Sequence, residues 1–171
     1  MDLKTLFKIN YGMYVVCSKK GEKYNGQIAN TVFQITSEPA TIAISINKKN
    51  FTHECICETK KFTISILNKD TPLKFIGTFG FKSGREVDKF LNINYKIGKT
   101  GLPIVLDNVL GYIELEIFTS LDVETHSIFV GKVVEAEILN NTEPMTYSYY
   151  HEVKRGTTSK NAPTYINLSN K

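Results

Sequence analysis

The sequence predicts a mainly β fold, an antiparallel barrel or sandwich with a few short helices in its connections. Three observations predict it. Apolar and polar residues alternate with period two in several stretches. Turn residues separate those stretches. Helix signals are confined to short connecting segments.

In chain order, Tyr14 to Ser18 reads as the first strand. Lys20-Gly21 and Asn25-Gly26 follow as turn signals. Gln27 to Thr36 continues as a second extended segment. From Ala40 to Ile46, Ile42, Ile44 and Ile46 share one face, opposite Ala43 and Ser45. Phe62, Ile64 and Ile66 repeat the pattern against Thr63 and Ser65. Ile113, Leu115 and Ile117 alternate with Glu114 and Glu116, as in a half-exposed antiparallel strand. Ile128 to Leu139 is the last long strand, with Gly131 as a bulge or bend.

Three short helices are expected. Asp70-Thr71-Pro72 starts one, with proline at its first position, running towards Gly77 or Gly80. Ser83-Gly84-Arg85-Glu86 is a capping box that opens a second through Val87, Lys89, Phe90 and Leu91. Asn50 or Thr52 caps a third over His53 to Glu58. From Asn140 onward the periodicity is lost and Tyr, Thr, Ser and Asn prevail, with Pro144 and Pro163. The expected organisation is one barrel domain over 1–145 and a C-terminal arm over 146–171, packed on the barrel or on a partner subunit.

The 171 residues, 42% hydrophobic and 22% charged, bury a core without help from disulfides. No apolar run reaches the ~18 residues of a membrane span, and MDLKTLFKIN lacks the apolar stretch of a secretory signal, so the cytoplasm is the expected compartment. The net charge is +4. Lys154, Arg155, Lys160 and Lys171 against Glu152 put most of it on the arm. Arg85 and Arg155 are the only arginines, which argues against nucleic acid as a partner. Cys17, Cys55 and Cys57 form no C-x-x-C pair, so free thiols are expected and no metal site.

Three stretches carry more small polar residues than a plain barrel needs: Gly26 to Pro39, Ser45 to His53, and Thr78 to Arg85. Hydroxyls, a lysine and a helix N-terminus make a phosphate site. The run GQIANTVFQITSEPATIAISINKKNFTHECI resembles the flavin reductase-like family. FTISIL, FGFKSGREVDKF, GLPIVLDN, HSIFVGKVVEAEIL and the tail MTYSYYHEVKRGTTSKNAPTY continue the resemblance in order. The tail is similar to those of flavoredoxins and of the flavin domain of high-molecular-weight rubredoxins.

The resemblance implies an FMN-binding split β-barrel, antiparallel and Greek-key-like, with non-covalent FMN and a homodimeric assembly. It implies that Gln27, Ile28, Ala29, Asn30, Thr31 and Val32 lie along the isoalloxazine, with Asn30 and Thr31 bonding its polar edge. Thr36 and Ser37 are expected to face the ribityl chain or phosphate. The phosphate falls to the stretch Ser45, Ile46, Asn47, Lys48 and Thr52, with Lys48 as the matching charge. Phe79, Gly80, Ser83 and Gly84 are expected to close over the flavin edge or over the partner subunit's site. His126 matches the family's histidine near the flavin face, on the nicotinamide side.

The implied reaction passes hydride from NADH or NADPH to the flavin. Electrons then go to a free flavin, a ferric complex, or a rubredoxin- or flavodoxin-like protein. Glu124, where relatives often carry glycine before the histidine, adds bulk and negative charge there. It keeps open a second reading, an electron-transfer flavoprotein without NAD(P)H activity. A nucleic-acid-binding barrel without flavin is a third, and it requires a basic groove lined with exposed aromatics.

Overall fold

The computed structural model describes residues 2–167. Its strands are β1 Tyr14–Lys20, β2 Lys23–Ala29, β3 Val32–Ser37, β4 Ala40–Asn47, β5 Lys61–Leu67, β6 Tyr95–Ile97, β7 Pro103–Val105, β8 Val109–Val123 and β9 His126–Ile138. The α-helices are α1 Phe51–Thr59, α2 Leu73–Phe81 and α3 Tyr147–Glu152, and a 3-10 helix spans Leu3–Lys8. No helix among the described residues is long and apolar enough to cross a membrane.

Seven strands form one antiparallel sheet in the order β2-β1-β5-β8-β9-β4-β3, and β6 pairs with β7. The two edge strands, β2 and β3, are consecutive in the chain and joined only by Asn30 and Thr31. Such a link spans at most about 11 Å between flanking Cα atoms. The sheet therefore curls until its edges meet at that point. The ladder itself does not close, which leaves a barrel with a split.

Period-two alternation sorts the side chains. Val16, Ile42, Ile44, Ile46, Phe62, Ile64, Leu115 and Phe129 fill the barrel. Val15 and Cys17, the neighbours of Val16, point the other way into an outer cluster with Phe75, Ile76, Phe79, Phe90, Met145 and Tyr150. Tyr150 brings the arm onto the barrel, beside Met145 at the arm's root. Thr63 and Ser65 lie on the outer face of β5, where β7 covers them. Their hydroxyls donate to the carbonyl oxygens of Pro103 at 2.7 Å and Val105 at 2.9 Å.

Four local expectations change. Asn25-Gly26 is not a turn. It lies inside β2, opposite Ser18 and Cys17, and the hairpin turns at Gly21, whose φ is +56°. Gly26 is required by packing, because a Cβ there would stand 2.9 Å from Cys17 Sγ and 3.0 Å from Phe79. The capping box at Ser83 makes one turn and stops. The chain then swings inward to bury Lys89, and Asp88 Oδ1 accepts from Phe90 N at 2.9 Å, a local bond that competes with helix. Pro72 is the cap of α2, one residue before its first helical position. Glu114 is 1% exposed, because Lys99 N, Thr100 N and the Thr100 hydroxyl all donate to its carboxylate.

The expected irregularity at Gly131 falls on both sides of it. The β8–β9 register shifts beyond Glu114 and again beyond Ile117, which leaves Val134 and Phe118 as the unpaired residues. Gly131 itself keeps its pairing and lets Leu115 pack close, since its Cβ position is 2.9 Å from Leu115 Cβ.

Candidate functional site

The split opens into a cleft of about 200 Å³. One wall is the C-terminal half of β2, from Asn25 to Ala29, followed by Asn30. The opposite wall is the end of β4 and the N-terminus of α1, with Ser45, Asn47, Lys49, Asn50, Phe51 and Thr52. Ile76, Phe79 and Gly80 of α2 and the segment Lys82–Arg85 form a third side. Thr157 to Pro163 of the arm cross the fourth.

The sequence-derived residues divide between cleft and barrel. Gln27, Ile28, Ala29, Asn30, Ser45, Asn47, Thr52, Phe79, Gly80, Ser83 and Gly84 line the cleft together. Thr31, Val32, Thr36, Ser37, Ile46 and Lys48 lie outside this lining. Ile46 is fully buried in the barrel core. The Thr36 hydroxyl donates to Pro39 O at 2.5 Å and stands 2.6 Å from the Thr41 hydroxyl, and Ser37 is exposed at the end of β3. The Thr31 hydroxyl donates to Asn30 Oδ1 at 3.1 Å. Lys48 Nζ is 3.2 Å from Asp122 Oδ2, and the lysine on the cleft wall is its neighbour Lys49.

The cleft has an apolar side and a hydrogen-bonding side. Ile28, Ile76 and Phe79 supply the first. The second begins at Asn50, which is the N-cap of α1 although its side chain caps nothing. That amide instead donates to Gln27 Oε1 at 3.0 Å and accepts from Asn161 Nδ2 at 2.9 Å. Asn25 is wholly buried, donates to the Thr52 hydroxyl at 2.7 Å, and has no partner for Oδ1. A Cβ on Gly84 would fall on that oxygen.

Lysine and arginine set the potential. Lys49, Lys82, Arg85 and Lys89 all border the cleft. Arg85 is partly neutralised by an ion pair with Glu54, which Lys20 also meets at 2.8 Å. Lys89 is 5% exposed, and Nζ donates to Gly26 O at 2.8 Å and Phe79 O at 3.2 Å. Burial pushes its pKa down to about 8. Sequence reading overlooked Lys89 because the capping box made it a helix-surface residue. It overlooked Lys49 because Lys48 stands beside it. The arm residues Thr157, Thr158, Ser159 and Asn161 were legible only as polar composition.

His126 begins β9 beside the cleft rim, in register with Asn47. Its Nε2 is 3.2 Å from Asn161 O and its Nδ1 is 2.8 Å from the Thr125 hydroxyl. Glu124 occupies the β8–β9 turn with φ +47°, a backbone conformation that favours glycine. It is exposed and outside the cleft lining.

The chain is 56% identical over 165 residues to a high molecular weight rubredoxin of Moorella thermoacetica, covering 96% of this chain and 72% of the relative. It is 45% identical over 166 residues to a ferric-chelate reductase (NAD(P)H) of Archaeoglobus fulgidus, covering 97% and 98% of the two chains. Among solved structures, an NADH:FAD oxidoreductase of Streptomyces globisporus C-1027 superposes with TM-score 0.77 at 23% identity, over 86% of this chain and 87% of that one. The FMN-binding protein of Thermus thermophilus with bound p-hydroxybenzaldehyde gives TM-score 0.70 at 27% identity, over 77% and 73%. Residues 6–158 match the family described as flavin reductase like domain, and the chain belongs to that family.

Proposed function

We propose that this flavin reductase-like oxidoreductase binds FMN in the cleft and uses it to carry electrons from NADH or NADPH. The acceptor is a free flavin, a ferric chelate or a small redox protein. The observation that carries the reading is the pairing of an apolar wall with a cationic one across the barrel split. Ile28 and Phe79 offer a slot for a flat ring system, and Lys49, Asn50 and Thr52 at the N-terminus of α1 suit a phosphate. The unpartnered Asn25 Oδ1 suits a ring N–H or ribityl hydroxyl donor.

Bound flavin would supply the hydride- and electron-accepting chemistry. The chain's residues supply the rest. Lys49 offers the matching charge that the sequence reading gave to Lys48, whose ammonium is spent on Asp122. Lys89 holds the β2 and α2 backbones together beside the apolar wall and would place a cation on that side of a bound flavin. The arm segment 157–163 narrows access of water from the open side. His126 stands at the rim where a nicotinamide would enter.

A homodimer is supported by the exposed apolar residues Phe33 and Ile35 on β3 and Phe118 and Leu121 on β8, which are 48–62% exposed. A rubredoxin- or flavodoxin-like acceptor is supported by the rubredoxin named among the relatives. The test is an anaerobic titration of the FMN-loaded protein with NADH and then NADPH, following the flavin absorption band. Stoichiometric bleaching is the expected result. A band that persists with both donors but bleaches with dithionite would leave an electron carrier. A protein that takes up no FMN would overturn the reading entirely.

A further inference from the structure

We propose that Cys57 is a nucleophilic thiol, with His53 as its base, that forms mixed disulfides with low-molecular-weight disulfides. The site is outside the cleft and independent of flavin. His53 and Cys57 are four residues apart on α1 and share a face. Sγ lies 3.7 Å from His53 Nδ1, and His53 Nε2 lies 2.8 Å from the Ser127 hydroxyl. That hydroxyl donates to Asp122 Oδ1 at 2.6 Å.

The direction of these bonds assigns the tautomer. A carboxylate only accepts, so the one Ser127 hydroxyl proton is committed to Asp122. Ser127 Oγ must then accept from His53 Nε2–H. A neutral imidazole protonated at Nε2 has a bare Nδ1, and that is the nitrogen facing the thiol. Phe129, with its ring centroid 5.3 Å away, packs against the imidazole.

The surrounding groups keep the base available. Burial lowers the His53 pKa, and Lys48 lowers it further, while Asp122 on β8 and Glu54 on α1 oppose them. The Ser127 hydrogen bond and Lys48 hold Asp122 ionised. Cys57 is half-buried, whereas Cys17 and Cys55 are buried, with thiols pushed up to about 12 and about 11.

In the reaction, the Cys57 thiol proton moves to His53 Nδ1, and the resulting imidazolium is held through Ser127 by Asp122. The thiolate attacks one sulfur of RS–SR. A Cys57–S–S–R bond forms as the RS–SR bond breaks. The leaving thiolate takes the proton from His53, so one thiol is oxidised and one RSH is released.

The test treats the full-length protein with dithiobis-nitrobenzoate, follows release of the coloured thiolate, and locates the adduct by peptide mass. One fast thiol, mapped to Cys57, is expected. His53→Gln should slow it at least about tenfold and Asp122→Asn about threefold. Circular dichroism checks that each variant is folded. A fast thiol elsewhere, or a rate unchanged in His53→Gln, overturns the proposal. If His53→Gln does not fold, the pH–rate profile of the native protein decides. An inflection well below the ordinary thiol value of about 8.5 supports the pair, and a single rise at that value overturns it.

Discussion

His126 Nε2 donates to the main-chain oxygen of Asn161 at 3.2 Å, and the Asn161 amide donates to Asn50 Oδ1 at 2.9 Å. The start of β9, the arm and the N-terminus of α1 are thereby tied together at one rim of the cleft. His126→Ala removes the donor at one end of this chain and the ring at the rim where we propose that a nicotinamide enters. Its expected effect is a rate of flavin bleaching by NADH or NADPH about tenfold lower, with FMN affinity changed by less than about threefold. Stopped-flow reduction and a fluorescence titration with FMN separate the two quantities.

Gly84 has no room for a side chain. A Cβ there falls on Asn25 Oδ1 and stands 3.1 Å from the Phe51 ring. Gly84→Ala is expected to cost about 1–3 kcal/mol of stability through overpacking. It should also weaken flavin binding, because Asn25 and Phe51 are both on the cleft wall. Urea unfolding and FMN titration of the same variant check the two expectations together.

Lys89→Met leaves the carbonyl oxygens of Gly26 and Phe79 without their buried donor, for a loss of about 2–4 kcal/mol. The pH dependence has a definite sign. The Lys89 pKa is about 8 in the folded chain, against an ordinary value of 10.5. Between those values the unfolded chain holds more protons, so this group makes stability rise with pH. Cys17, raised from 9.0 to about 12, acts in the opposite sense above pH 9. Stability measured from pH 8 to 9 should therefore rise more steeply in the native chain than in Lys89→Met.

Glu114→Ala removes the acceptor for two backbone N–H groups and the Thr100 hydroxyl. The loop 98–101 then loses its anchor on β8. A destabilisation of about 2–4 kcal/mol is expected, and amide exchange in that loop should accelerate. Glu116, two residues on and exposed, pairs with Lys61 at 2.9 Å across the β5–β8 ladder, and Glu116→Ala should change stability by less than about 1 kcal/mol.

The strands were legible because burial on one face writes itself as alternation. Ile42, Ile44 and Ile46 do share the barrel interior. What alternation does not contain is which polar residue a neighbouring loop will cover. Glu114 reads like Glu116 until the 98–101 loop closes on it. Asn25-Gly26 reads as a turn because only the packing of Cys17 and Phe79 requires the glycine within a strand. Lys89 reads as a helix-surface residue because its two acceptors lie 63 and 10 positions away in the chain. The cleft was legible as three polar stretches. Their selection was less so, since Lys48 and Lys49 are chemically alike and only the end of β4 decides which one faces the cleft.

The two-residue link between β2 and β3 has a thermodynamic consequence. The ladder is open along the seam between β2 and β3, and the link between them is tied to β4 by Ser45 N, which donates to Thr31 O at 3.2 Å, so that β2 and β4 face each other across the cleft. A molecule lying in the cleft touches both and works as a fastener on the sheet. Its binding free energy then adds to the free energy of closure, by about 2.7 kcal/mol at a hundred times its dissociation constant. The melting temperature of this protein should therefore track the logarithm of cofactor concentration, and the seam strands should be the first to exchange their amide hydrogens when the cofactor is withdrawn.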